Sequence, residues 1–188
     1  VRRFHSLKTM TGPPQPTIES MSDSPTFPAP AEQPIAHIVF FEPRIPGNSG
    51  AAIRLAAITG AMLHLVEPLG FDMSEAKLRR VGLDYHDLAR VQVHPSLDAC
   101  LASIGGTSIW AFTSATETTM ADVSFAVGDV LLFGPEPTGL PEHVLADERV
   151  TSRVRIPMRP GLRSLNLANA ATVAVYEVWR QHGYQGGI

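Results

Sequence analysis

The sequence contains a single cysteine, Cys100, among 188 residues. One cysteine cannot form an internal disulfide, nor can it supply the paired cysteines of a zinc knuckle, so a reducing compartment is expected. No apolar run approaches the roughly 20 residues that a membrane-spanning helix needs. The first residues also lack the continuous apolar segment of a secretory signal. These absences predict a soluble, cytoplasmic protein that does not enter a membrane.

Excess positive charge is also lacking, because 15 Lys and Arg stand against 18 Asp and Glu, for a formal net charge of -3. A chain with this balance is not expected to coat nucleic acid through nonspecific, salt-driven contacts. A local basic site stays open as an alternative, because five arginines fall within fifteen residues. They are Arg149, Arg153, Arg155, Arg159 and Arg163.

Several catalytic motifs are missing. The sequence has no HExxH, no zinc-like cluster of Cys and His, no GxSxG elbow, no Walker loop and no GxGxxG turn. The seven histidines are scattered, so His37, His64 and His143 are predicted to be structural or exposed, and no metal site is predicted. His86 differs, because it lies in a polar segment with Lys77, Arg79 and Arg80; this segment is either functional or a solvated basic face.

The chain divides by composition into two parts. Residues 1–34 hold seven prolines and eight Ser or Thr without any periodic apolar pattern, and such a segment cannot bury enough apolar surface to offset the entropy of ordering. We therefore predict a disordered extension over 1–34. Its opening "VRRFHSLK" resembles an Arg-rich organelle-targeting segment, but a dispensable extension, or a true start at Met21, is the favoured interpretation. Residues 35–188 are predicted to form one folded domain.

Short apolar runs alternate with helical patterns across residues 35–188. Strands are predicted at 35–41, 61–68, near Val91, at 107–113, at 129–134 and at 152–158. Helices are predicted at 48–60 with Asn48 as the cap and Gly60 as the terminator, at 96–104, after "TGLPEHVL" (138–145), and from Ser164 onward. Alternating strands and helices indicate an α/β fold with a mostly parallel sheet, in which ligands bind beyond the carboxyl ends of the strands.

Three polar segments follow predicted strands, where such a site is expected. The first is "EPRIPGNSGAAIR", with Asn48 and Arg54; the second is "LLFGPEPTGLP", with Glu136; the third is "RPGLRSLNLANAA", with Ser164 and Asn166. Taken singly, each has a simpler explanation. Arg54 fits a solvated helix face, the second segment fits a plain connection in which Glu136 caps a helix, and Ser164 fits an ordinary helix cap.

In this order, the three segments resemble the three signature motifs of the SPOUT class of RNA 2′-O-methyltransferases. The additional segments "EPLGF", "KLRRVGLDYH" and "YEVWRQHGY" are most similar to the subfamily that methylates the ribose of the wobble nucleotide, C34 or U34, of leucine tRNAs. The resemblance covers nearly all of residues 35–185. It implies a C-terminal deep trefoil knot, which the general rules of chain topology would not predict, and a homodimer with Tyr176 at the interface.

The resemblance also implies roles for individual residues. S-adenosylmethionine would be held by Phe112, Gly134, Ile156, Ser164 and Leu165. Arg54 would act on the ribose 2′-OH, either as a transiently deprotonated base or electrostatically, with Asn48, Ser164 and Asn166 lining the site. The RNA contacts would be Arg44, Lys77, Arg79, Arg80 and His86.

One departure from the family pattern lies in the middle motif. Pro137 and Thr138 stand where a small polar residue followed by Arg or Lys is more usual, so the loss of a positive charge is expected to affect RNA affinity or substrate choice more than cofactor binding. Three other interpretations stay open: methylation at another tRNA or rRNA position, an RNA-binding relative without catalysis, and a doubly wound nucleotide or flavin binder.

Overall fold

The computed structural model describes residues 33–73, 90–162 and 164–188. The strands are β1 His37–Phe41, β2 Met62–Val66, β3 Val91–His94, β4 Ile109–Phe112, β5 Val130–Phe133 and β6 Ser152–Val154. The helices are α1 Pro46–Thr59, α2 Leu97–Ile104, α3 Glu142–Leu145 and α4 Leu167–Gln181, with a 3-10 turn at Met120–Asp122. Nearly all of the extension predicted over 1–34 lies outside the described residues, so its disorder stays a prediction.

The six strands form one sheet in the order β3-β2-β1-β5-β4-β6, and every pairing is parallel. The predicted α/β class with a mostly parallel sheet is confirmed. The order also brings β5 beside β1 and β6 beside β4, so the loops that follow these strands all leave the same end of the sheet. The knot implied by the resemblance stays a prediction.

Both faces of the sheet are covered, as the continuous apolar strands require. On one face, Phe40 and Leu65 pack with Ile53 of α1 and Val175 of α4. On the other face, Val39 and Leu132 pack with side chains of α2 and α3. Burying each such side chain contributes about 1.5–3 kcal/mol. No helix within the described ranges is long and apolar enough to cross a membrane.

The starts of two helices differ from the prediction. Helix α1 begins at Pro46 and its N-cap is Ile45, which makes no side-chain cap, so the assignment of Asn48 as the cap is wrong. Proline has the backbone angle of a first helical residue and lacks only an N–H that would be unpaired there. The predicted end of α1 is confirmed, because Gly60 adopts a left-handed φ of 76°.

Helix α4 likewise begins later than predicted, at Leu167 instead of Ser164. Its cap is Asn166, whose side-chain oxygen accepts hydrogen bonds from the backbone N–H groups of Ala168 and Asn169. The prediction of Ser164 as the cap is wrong because the amide side chain of Asn166 already satisfies these N–H groups. Strand β6 is also shorter than predicted, since it ends at Val154.

Gly134 ends β5 at a point where the chain turns back on itself. A Cβ atom at this position would lie 2.2 Å from the backbone carbon of Gly139 and 2.2 Å from the backbone nitrogen of Leu140. We predict that Gly134→Ala lowers the free energy of unfolding by about 1–3 kcal/mol, because the loop must move to admit a methyl group. Denaturant unfolding measures the change. Gly106→Ala is the matched control, because a Cβ there meets no atom within 4 Å, and equal losses in the two variants would contradict the prediction.

Candidate active site

The predicted cofactor residues meet at the carboxyl ends of three neighbouring strands. Phe112 is the last residue of β4 and pairs with Val154, the last residue of β6. Gly134 follows β5, which pairs with β4 on its other side. Ile156 lies two residues beyond β6. A ligand at this end of the sheet would therefore be reached by the loops after β4, β5 and β6 together.

The side chain of Phe112 is buried against the neighbouring strand. Its ring stacks on the ring of Phe133 with centroids 4.6 Å apart, and only 8% of the residue is exposed. The contribution of Phe112 to a ligand site is therefore limited to its backbone and to supporting the neighbouring strand. Apolar side chains are instead exposed in the loop between β6 and α4. These are Met158, Leu162 and Leu165.

Three of the motif side chains form one hydrogen-bonded chain, which we call the amide–carboxylate chain. The Asn48 amide nitrogen donates to Glu136 Oε1 at 2.8 Å, and the Asn166 amide nitrogen donates to Asn48 Oδ1 at 2.7 Å. The Asn166 oxygen in turn caps α4. The amide–carboxylate chain joins all three motifs: Glu136 lies 88 residues, and Asn166 118 residues, from Asn48 along the sequence.

Glu136 also binds the backbone before α1. Its Oε2 accepts from the Arg44 N–H at 2.8 Å and its Oε1 accepts from the Ile45 N–H at 3.1 Å. Partial burial raises the pKa of the Glu136 carboxyl, but the hydrogen bonds from Asn48, Arg44 and Ile45 outweigh burial and leave the pKa below its ordinary value. The carboxylate is thus ionised at neutral pH and anchors the loop that carries Arg44.

The predicted catalytic residues are brought into this region to different extents. Asn48 is buried in the first turn of α1, whereas Arg54 lies on the exposed side of the same helix. Ser164 and Leu165 immediately precede Asn166 and are exposed. Asn48, Ser164 and Asn166 therefore lie around the start of α4, and Arg54 lies farther along α1.

Among the predicted RNA contacts, Arg44 is half-exposed and its guanidinium donates to the Glu42 carboxylate at 3.0 Å. Lys77, Arg79, Arg80 and His86 lie outside the described residues. Three of the four described arginines of the arginine-rich segment have carboxylate partners, so their positive charge is compensated locally. Ion pairs join Arg149 to Asp98 and Asp147, Arg153 to Glu142, and Arg155 to Glu117.

A separate open cavity of about 640 Å³ lies beyond β2 and β3. Its lining includes Glu67, Leu69 and Phe71 from the loop after β2. This loop contacts the first motif closely, since the Gly70 N–H donates to the Pro43 carbonyl at 2.9 Å. The cavity therefore adjoins the loop of Arg44 and differs from the ligand position at β4, β5 and β6.

Glu136 was not assigned to the catalytic set from the sequence, which left it as a helix cap or a functional group. In the structure Glu136 has both kinds of role: it accepts a hydrogen bond from the backbone before α1, and it orients the Asn48 amide. The signal in the sequence that could have identified Glu136 is a carboxylate residue just after a buried strand. Its partners could not be identified from the sequence, because they are set by the pairing of β1 with β5.

Comparison with known proteins bears on the same segments. Residues 36–176 match the SpoU rRNA Methylase family. The chain belongs to this family. That membership confirms the resemblance of the three motifs, and the family match includes the amide–carboxylate chain in full.

Similar proteins include a tRNA (cytidine(34)-2′-O)-methyltransferase of Methylovorus glucosotrophus, which is 47% identical over 80% of this chain and 98% of its own. A solved structure concerned with the 2-OH methylation of C/U34 on tRNA is 42% identical, with a TM-score of 0.73, over 82% of this chain and 100% of its own. The SpoU methyltransferase AviRb of Streptomyces viridochromogenes, in complex with AdoMet, is 27% identical, with a TM-score of 0.66, over 85% of this chain and 61% of its own.

The amide–carboxylate chain generates a stability prediction for Glu136→Gln. Glu136 faces three N–H donors, and an amide group would turn one of its own N–H groups toward them. We expect a loss of about 1–3 kcal/mol in the free energy of unfolding at neutral pH, because a donor is left unpaired. Denaturant unfolding measures the loss, with Glu117→Gln as a control at an exposed ion pair.

The stability loss in Glu136→Gln should also depend on pH. Because the folded-state pKa of Glu136 lies below its ordinary value of 4.5, the carboxylate stabilises the fold above about pH 4.5, and this stabilisation is lost as pH falls through the folded-state pKa. The stability difference between the wild type and Glu136→Gln should therefore be constant near neutrality and shrink in acid. A difference that grows in acid would contradict the assignment.

Proposed function

We propose that this protein transfers a methyl group from S-adenosylmethionine to the ribose 2′-OH of the wobble nucleotide, C34 or U34, of leucine tRNAs. The observation that carries the proposal is the amide–carboxylate chain, which holds the three motif segments together at the carboxyl end of the sheet. The similarity to a tRNA (cytidine(34)-2′-O)-methyltransferase over 80% of the chain supports the choice of nucleotide.

The loops after β4, β5 and β6 would bind S-adenosylmethionine, which supplies the methyl group when bound. Gly134 has no side chain, so the backbone of Gly139 and Leu140 packs directly against it and fixes the shape of the loop after β5. The backbone around Phe112 and Ile156 offers further polar groups, and Leu165 offers exposed apolar surface to an adenine ring. Such a mixture of apolar surface with a few directed polar groups is typical of cofactor pockets.

Asn48, Ser164 and Asn166 would position the ribose next to the methyl group. The two amides are held by each other, by Glu136 and by the start of α4, so their remaining hydrogen-bonding groups have fixed directions. Fixed groups raise the rate because less motion is lost when the reacting atoms align. Ser164 contributes an exposed hydroxyl at the same place.

Arg54 would stabilise the negative charge that develops on the 2′-oxygen as its proton leaves. An arginine is charged at physiological pH, so an electrostatic role agrees better with its chemistry than a role as general base. Arg44, together with Lys77, Arg79, Arg80 and His86, would contact the RNA. Pro137 and Thr138 are both exposed, so the departure in the middle motif affects a surface that RNA could reach.

A homodimer would complete the site. Val173 and Tyr176 lie one turn apart on the outer side of α4, where they are 40% and 39% exposed. The Tyr176 ring also contacts the Trp179 ring, with centroids 5.7 Å apart. An exposed apolar and aromatic helix face of this kind suits a symmetric contact with a second copy of the chain.

The direct test incubates the full chain with labelled S-adenosylmethionine and unmodified tRNA and then maps the methylated ribose. We expect label on the 2′-oxygen of nucleotide 34 of leucine tRNA and not on a tRNA for another amino acid. Label at another position would show that the wobble nucleotide is not the target. Cofactor binding without methyl transfer to any RNA would indicate an RNA-binding relative without catalysis.

Arg54→Ala tests the catalytic assignment. We predict a fall in kcat of about 100-fold or more, the loss typical of a group that stabilises developing oxygen charge, with cofactor binding unchanged by calorimetry. Arg149→Ala is the matched control, because Arg149 pairs with Asp98 and Asp147 near α2 and α3. Undiminished turnover by Arg54→Ala would remove Arg54 from the mechanism.

Val173→Glu tests the dimer. A carboxylate at the centre of an apolar contact must lose its hydration, so the variant should dissociate at concentrations where the wild type is dimeric. Sedimentation velocity measures both, with Ala146→Glu, at the exposed residue that follows α3, as a charge-matched control. A monomeric wild type at micromolar concentration would contradict the proposal.

A further inference from the structure

Three histidines cross the sheet on the face opposite α1 and α4. His37 lies in β1, His64 in β2 and His94 in β3. The register pairs Val39 with His64 and Val66 with His94, so each histidine is displaced by two residues from the one before. Since side chains alternate along a strand, a displacement of two keeps all three on one face. We call this row the histidine ladder.

The rings of the histidine ladder are in direct contact. His37 Nδ1 lies 2.8 Å from His64 Nε2, and His64 Nδ1 lies 2.9 Å from His94 Nε2. The ring centroids are 5.1 Å apart in both pairs. His64 is 2% exposed and His94 is 8% exposed, so the inner pair is shielded from water. The rings of His64 and His94 thus face each other, nitrogen to nitrogen, inside the domain.

Helix α2 places a thiol beside this pair. Cys100 is fully buried, and its sulfur and one nitrogen from each of His64 and His94 all lie within 4.8 Å of one another. Its neighbours in the core are apolar, including Val66 and Leu101. Polar groups in such surroundings cost free energy unless they are satisfied, and the proposed methyl transfer uses none of these three side chains.

We propose that His64, His94 and Cys100 form a binding site for one d10 metal cation, Zn²⁺ or Cu⁺. Two imidazole nitrogens and one sulfur are a donor set that selects such borderline or soft cations over Mg²⁺ or Ca²⁺. This proposal departs from the expectation from the sequence that no metal is bound. That expectation rested on the wide separation of the histidines along the sequence, but the pairing of β1, β2 and β3 brings three of them together.

The protonation states fit the proposal. Burial, together with the neighbouring His37 and His94, lowers the pKa of His64 to about 3. Burial also lowers the pKa values of His37 and His94, so the ladder is neutral at physiological pH and each ring has one unprotonated nitrogen. Burial raises the pKa of the Cys100 thiol to about 12, so the bare site holds a thiol.

Metal binding then releases one proton. The Cys100 S–H bond breaks, the proton passes to solvent, and the thiolate sulfur binds the cation. With His64 protonated on Nε2, His94 Nε2 is the donor to His64 Nδ1 in the bare site, so the His94 proton moves from Nε2 to Nδ1 and both rings bind as neutral imidazoles. His64 would coordinate through Nδ1 and keep its proton on Nε2, where it donates to His37 Nδ1. His37 would thus orient the liganding ring, as second hydrogen-bond partners of liganding histidines commonly do.

The geometry requires only local adjustment. Ligand bonds of about 2.0–2.3 Å at tetrahedral or trigonal angles separate donor atoms by about 3.3–3.8 Å. The two nitrogens, now 2.9 Å apart, would move apart by about half an ångström, and the sulfur would approach. Bound metal would join β2, β3 and α2, and we assign it a structural role separate from methyl transfer.

Addition of Co²⁺ to the purified full chain tests the site, because thiolate ligation gives a near-ultraviolet charge-transfer band. We expect the band to saturate at one equivalent of Co²⁺, to disappear on addition of Zn²⁺ or Cu⁺, and to be absent in Cys100→Ala. We also expect Cys100→Ala to lose more than about 100-fold in Zn²⁺ affinity, since loss of an outer partner alone costs about 10–100-fold.

His143→Ala is the matched control, because His143 is an exposed histidine outside the ladder, and it should keep both the band and the affinity. His37→Gln should keep the band and weaken Zn²⁺ binding, which separates an orienting partner from a ligand. Circular dichroism establishes that each variant is folded. A folded wild type that gives no charge-transfer band and binds no equivalent of Zn²⁺ or Cu⁺ would overturn the proposal and leave a hydrogen-bonded ladder.

Discussion

The hydrogen bond between the Asn48 amide and the Glu136 carboxylate is the contact on which the site depends. At 2.8 Å, it joins the first turn of α1 to the loop after β5, two segments brought together only because β5 pairs with β1. Glu136 binds the backbone before α1 as well, so one ionised side chain fixes both the entry to the helix and the amide within it. Asn166 extends the chain to α4, with its oxygen capping the helix and its nitrogen binding Asn48.

This arrangement explains why polar groups are gathered where the sheet ends. Both ends of each amide are already hydrogen-bonded, so the one N–H group that remains on each can face a substrate only in a fixed direction. The adjoining backbone is just as constrained, since Gly134 lies directly against the peptide between Gly139 and Leu140. Cofactor and ribose positions would thus be set by a preformed framework, while RNA recognition falls to exposed side chains such as Arg44.

Local sequence signals predicted most of the fold. Apolar runs and Gly60 located the strands and the end of α1 because these depend on neighbours along the chain. The predicted starts of two helices were wrong. Asn48 forms long-range hydrogen bonds instead of capping α1, and Asn166, not Ser164, caps α4. Short sequence patterns reveal neither arrangement. For the same reason Glu136 had no assigned partner, and the histidine ladder was invisible: its members come from three strands, and only the sheet register aligns them. The roles of individual residues came from the family resemblance instead of from spacing.

We propose that the loops after β4, β5 and β6 bind the cofactor beside the amide–carboxylate chain. A crystal structure of the full chain with S-adenosylhomocysteine would locate the ligand. We expect the adenosine group between the backbone of Phe112, Gly134 and Ile156, with the sulfur directed toward Asn166 and Ser164. Density for the ligand in the cavity beyond β2 and β3, with the ends of β4, β5 and β6 unoccupied, would contradict it.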